Sequence, residues 1–145
     1  MMRRGFLSGL TILLSGCLET FAPKSPPGQS VDPAPVDDDG EITVNELRTI
    51  FESKFDVIEF TRASGSDAHV GIEGMSWNRL DGLEIINTYT DAVKSGFDMD
   101  LYAWEADSFG EYEVVYRIEL EEAKQINAGE ASTMDLFTNV DQRYL

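Results

Sequence analysis

The chain has a single cysteine, Cys17, so it can form no intramolecular disulfide and no cysteine-built metal or redox centre. It has a single histidine, His69, which excludes the multi-histidine sets of catalytic zinc sites. Proline is absent after Pro35. Basic residues are scarce: 11 Lys and Arg stand against 27 Asp and Glu, and only four of the 11 are lysine. A field of that sign repels phosphates, which excludes DNA and RNA as partners, and it repels anionic lipid headgroups too. No apolar run approaches the roughly 20 residues that a membrane-spanning helix needs. There is no phosphate-cradling glycine loop and no grouping of nucleophile, base and orienting residue. No cofactor is implied, and a non-catalytic protein is the expectation. A carboxylate-dependent enzyme is the alternative, because a working acid pair among 27 acidic residues looks no different from surface charge.

What is present begins at the N-terminus. Arg3 and Arg4 give a positive start, and Phe6 to Ser15 form a short apolar run; together these are the first two regions of an export signal. The run ends in Leu14-Ser15-Gly16-Cys17, which resembles the lipobox of prokaryotic lipoproteins. That resemblance implies that residues 1–16 are a removable signal. Cys17 would then be the lipid-bearing first residue of the mature protein, held on the cell membrane and facing outside the cytoplasm. Arg3-Arg4-Gly5-Phe6-Leu7 is similar to the twin-arginine export signal, which implies folding before translocation.

Without residues 1–16 the chain carries nine basic and 27 acidic residues, a formal charge of −18. Such self-repulsion is tolerable where salt screens it, since the Debye length falls to about 3 Å at 1 M. An acidic surface, scarce lysine, a twin-arginine start and a lipobox together resemble the small, mostly uncharacterised lipoproteins of halophilic archaea.

All five prolines, Pro23, Pro26, Pro27, Pro33 and Pro35, lie in residues 17–40 among Ser, Gly, Gln and Asp. This composition predicts a lipid-anchored tether that builds no core. Periodic apolar residues start after Gly40, so residues 41–145 are expected to form a single domain. Thr43-Val44-Asn45-Glu46 reads as a capping box that opens a helix with Leu47, Ile50, Phe51 and Phe55 on one face. Strands are expected around residues 56–62 and at Val70 to Ile72, flanking the Ser64-Gly65-Ser66-Asp67 turn. A second capping box at Asp81 to Glu84 opens a helix that Gly96 closes. Two alternating runs, Phe97 to Trp104 and Tyr112 to Glu119, make a hairpin across Asp107 to Gly110. The tail reads as a helix near Glu121 to Asn127 and a last helix with Leu136, Phe137, Val140 and Tyr144 on one side. This order predicts an α+β two-layer sandwich, a four-stranded and largely antiparallel sheet with helices on one face. Strand order stays open.

Four sets of residues are candidates for function. Asp37, Asp39 and Glu46 around Gly40 resemble the second half of an EF-hand calcium loop, with carboxylates at the third, fifth and twelfth positions. The first position would be Pro35, which has no ligand, and Glu46 is already explained as a cap, so no metal is assigned and calcium-stabilised surface attachment is a further alternative. His69 reads as a lone surface or edge histidine, its neighbours Ser64, Ser66 and Asp67 being no evidence for a triad. Tyr102 and Trp104 fall on the strand face opposite Met99 and Leu101. With helices on one face only, these two, with Val115, would lie on the open face as a surface for another envelope protein or a small ligand, and their removal would leave the fold intact. Trp77 would serve the same patch or close one end of the core.

Overall fold

The structure is a computed structural model that describes residues 24–63 and 67–145. Arg3, Arg4 and Cys17, which carry the expected signal and lipid attachment, lie outside the described residues. No described helix is long and apolar enough to cross a membrane.

Helix α1 (Val44–Glu52) starts at the expected capping box. The Thr43 hydroxyl accepts from the Glu46 N–H, and the Glu46 carboxylate accepts from the Thr43 N–H. Its Leu47 and Phe51 are fully buried, Phe51 against Phe60 of strand β2 (Val57–Ala63). Strand β3 (Asp67–Glu73) pairs with β2 antiparallel. Helix α2 (Leu80–Lys94) then crosses over the sheet with Ile85, Ile86 and Tyr89 inward, and Gly96 follows it with φ at +102°. A crossover of this length returns the chain in the same direction, so strand β4 (Asp100–Ala106) lies parallel to β3. Strand β5 (Tyr112–Ile118) closes the second hairpin, and helices α3 (Leu120–Asn127) and α4 (Thr133–Asn139) follow.

The general class is as expected: α+β, with the core between one sheet face and the helices. Phe60, Val70, Ala103 and Tyr116 form one row across that inner face, joined by Ile85, Ile86, Ala123 and Leu136 from the helices. Each fully buried large apolar side chain contributes about 1.5–3 kcal/mol.

The sheet itself differs from the four-stranded expectation. It has six strands in sequence order, and it is mixed because of the β3–β4 pair. Strand β6 (Asp141–Tyr144) pairs with β5 and occupies the segment expected to continue the last helix. Helix α4 stops at Asn139, and Val140 is extended at φ −64°, ψ 142°. The free backbone groups along the outer edge of β5 offer 141–144 a ladder, and that outweighs a helical spacing resting on Val140 and Tyr144 alone. At the other edge, strand β1 (Gln29–Ser30) pairs with β2, and Val31 is buried in the core. Asn45 and Arg48 of α1 donate to the carbonyls of Asp32 and Val31, and the Thr49 hydroxyl donates to that of Ala34. The proline-rich stretch is therefore docked on the domain here rather than standing clear of it. Its prolines flank the short pairing stretch without interrupting it.

One helix start also moves. Arg79, not Asp81, occupies the N-cap of α2, while the Asp81 carboxylate accepts from the Ser76 N–H in the preceding turn.

Candidate functional site

Strand alternation sends every second residue to the face that the described helices leave uncovered. Registers align Thr61, His69, Tyr102, Arg117 and Asp141 as one row across that face, and Glu59, Gly71, Trp104, Val115 and Arg143 as the next. Tyr102 and Trp104 are thus on the expected face, brought together with a histidine, two arginines and Val115. Among the buried apolar residues, Ala63, Trp104, Ala106 and Val115 stand outside the main core cluster.

The surroundings of the two aromatics differ. Tyr102 is half-buried, whereas Trp104 is only 3% exposed. Its indole N–H donates to His69 Nδ1 at 3.0 Å, and its ring meets Tyr112 edge-on at 5.6 Å. The expectation that removing both aromatics leaves the fold intact does not survive for Trp104. His69 is likewise no surface residue. It is 4% exposed, with its ring stacked on Tyr102 at 4.5 Å and 9°. Burial holds its pKa below the usual histidine value, with Asp67 acting weakly the other way. Tyr112 reaches across Gly71 to donate to Glu59 at 2.8 Å, and a Cβ on Gly71 would sit 2.1 Å from the Tyr112 hydroxyl. The missing side chain at Gly71 lets the phenol cross the strand.

An indole is a donor only, so the bond to Trp104 makes Nδ1 of His69 the acceptor. The ring is then neutral with its proton on Nε2. Nε2 is buried and has no partner among the described residues, and the same holds for Nε of Arg117. Arg117 lies 6.0 Å from the centre of the Tyr102 ring, and its terminal nitrogens reach Asp100 and Glu119 at 3.4 Å each. These groups border a cavity of about 480 Å³, with Tyr102, His69, Trp104 and Val115 beside Pro27 and Ala63, and Arg117, Arg143, Asp67 and Asp141 among the charged residues lining it. That volume falls within the range of about 300–1,000 Å³ that suits small molecules. One wall belongs to the docked proline-rich stretch, held by the Thr61 hydroxyl donating to the Pro27 carbonyl.

Asp37, Asp39 and Glu46 also come together, with carboxylate oxygens within 4.8 Å of one another. Both oxygens of Glu46 are engaged, however, one by the Thr43 N–H at 2.9 Å and the other by the Asp37 N–H at 3.0 Å. Asp37 and Asp39 accept from the N–H groups of Asp39 and Glu41, as turn residues do. Glu46 is held ionised by these backbone donors, its pKa below the usual carboxylate value. The cluster acts as a helix cap and loop brace. Trp77 lies at one end of the core, stacked on Tyr116 at 4.3 Å and donating to the Phe137 carbonyl, away from the Tyr102 face.

Sequence reasoning missed His69 as a member of this site, along with Arg117 and Arg143. The strand alternation that singled out Tyr102 also puts Arg117 on the same face as Val115; pairing β3 with β4 needed the tertiary structure. The chain matches no protein-family model, no curated protein and no solved structure.

Proposed function

We propose that this chain is a lipid-anchored extracytoplasmic binding module, carried on Cys17 and exported through the signal that includes Arg3 and Arg4. Its open sheet face takes a small ligand. The single observation that carries the binding reading is the cavity of about 480 Å³ over Tyr102, His69 and Trp104, on the face that the described helices leave uncovered. Supporting a binding rather than a catalytic role, the one histidine has its lone pair engaged by Trp104, so its remaining nitrogen is a donor and not a base. Tyr102 offers half-buried aromatic area whose loss on truncation typically costs a binder about 2 kcal/mol or more.

Two measurements test this. Cys17→Ser should leave the precursor uncleaved by the lipoprotein peptidase, and normal membrane retention of a processed Cys17→Ser protein would defeat the anchor. For the cavity, a small-molecule panel is screened by thermal shift against the parent and Tyr102→Ala. Compounds that stabilise the parent should lose most of that effect in the variant. Equal stabilisation of both would move the ligand site elsewhere.

A further inference from the structure

We propose that the ligand of this cavity is a planar aromatic carboxylate, its ring lying against Tyr102, Trp104 and Val115 and its oxygens received by His69, Arg117 and Arg143. This rests on the cavity being the ligand site. Among the described residues only two buried side-chain polar atoms lack a hydrogen-bond partner, His69 Nε2 and Arg117 Nε. Both belong to residues that line this one cavity, and they come from the strands on either side of β4, flanking Tyr102. Both are N–H donors. A buried donor without an acceptor is destabilising, more so where the group is charged, so two in one cavity call for a ligand rich in acceptors.

Charge points the same way. The segment 41–145 carries eight basic and 22 acidic residues, yet the cavity is lined by two arginines against two aspartates. Arg117 is shared with Asp100 and Glu119, whereas Arg143 makes no ion pair among the described residues. Arg143 follows Trp104 and Val115 in their row, so a carboxylate beside it leaves the attached ring over the apolar floor. A cationic ligand would meet no buried acceptor that lacks a partner among the described residues, and it would place its charge near both arginines as well as the two aspartates. Because neither orphan nitrogen is open to solvent, entry shifts the Tyr102 ring, which lies against both residues.

The chain carries its own reporters. Its two tryptophans lie on opposite faces of the sheet, Trp104 in the cavity and Trp77 in the core, so the two indole N–H signals in a nitrogen-edited NMR spectrum separate local binding from global change. Benzoate, terephthalate and the similarly sized cation benzylamine are titrated to millimolar concentration at constant ionic strength. The carboxylates should shift the Trp104 indole in a saturable way, leave Trp77 in place, and bind at least tenfold more tightly than benzylamine. His69→Asn, which keeps an acceptor for Trp104 and deletes Nε2–H, and Arg143→Gln should each weaken binding about tenfold or more, as loss of a hydrogen bond to a charged group implies. Should His69→Asn fold poorly, Arg143→Gln at the exposed edge strand carries the test alone. Benzylamine binding as well as benzoate, with the Trp104 signal moving, would overturn the carboxylate assignment and leave the cavity as the ligand site. Carboxylate binding that leaves the Trp104 signal unmoved would overturn both. No binding by either carboxylate would also overturn the assignment, with water then meeting the two donors.

Discussion

Replacing Trp104 by phenylalanine perturbs the one fully buried hydrogen bond between two side chains among the described residues, the 3.0 Å contact to His69. The exchange keeps an aromatic ring on the strand, so β propensity and the face pattern are preserved. It removes the indole N–H and strands His69 Nδ1, a loss of about 1–3 kcal/mol. The space left by the smaller ring adds on the order of 1–2 kcal/mol, giving a total of about 2–5 kcal/mol. A second effect concerns pH. His69 in the parent has its pKa lowered below 6.5 by burial, so between that lowered value and 6.5 the unfolded chain binds more protons than the folded one. Stability of the parent therefore falls as pH drops below about 6.5, from this residue alone. In Trp104→Phe the freed Nδ1 accepts a proton more readily, and the acid loss from His69 becomes shallower. Urea unfolding of both proteins, at about pH 7.5 and about pH 5.5 in one fixed high-salt buffer, measures both effects. A neutral-pH loss below about 1 kcal/mol would mean that the indole is not a buried donor to His69, and the tautomer argument would fall with it.

Three further outcomes are expected. Gly71→Ala should lower stability by about 1–3 kcal/mol by forcing Tyr112 off the strand and away from Glu59, seen as a lower denaturation midpoint; an unchanged midpoint would show that the phenol does not cross there. The domain, with eight basic against 22 acidic residues in 41–145, should gain stability as monovalent salt rises from dilute to molar, and a flat or falling thermal midpoint would contradict the halophilic resemblance. Glu46, whose pKa is lowered by the Thr43 and Asp37 N–H groups, contributes stability above the usual carboxylate pKa that is lost as pH falls through its depressed value. Glu46→Gln should flatten the acid limb of the pH–stability curve, and an unaltered limb would refute the cap.

Much of the local structure was legible in the chain because it depends on neighbours in sequence. The capping box at Thr43 and Glu46 needs only four residues, and the left-handed Gly96 needs only the helix before it. Alternation from Met99 to Trp104 separated Leu101 and Ala103 from Tyr102 and Trp104, and the two pairs do lie on opposite faces. Two of the misreadings concern backbone edges, whose ladders form with whichever strand is near. Asp141 to Tyr144 lack a helical contradiction of their own, yet β5 captures them, and Gln29 and Ser30 join β2 although prolines surround them.

The acidic balance, the lone cysteine in its lipobox-like setting, the start of α1 and the alternation that divides Tyr102 and Trp104 from Leu101 and Ala103 were set by the sequence itself, since composition and short-range periodicity need no partner. The tertiary structure alone decided that β3 lies beside β4, and with it that His69 meets Tyr102 and Trp104 from 33 and 35 positions away. It also decided that Trp104 is buried on the face that the described helices leave uncovered and that two N–H donors beside Tyr102 have no acceptor among the described residues. The physical reason is that residue type sets what a side chain can donate, accept or bury, while strand order sets which other side chain stands opposite. Strand order follows from how α2 packs its apolar face across the sheet, a long-range choice that no window of the sequence contains.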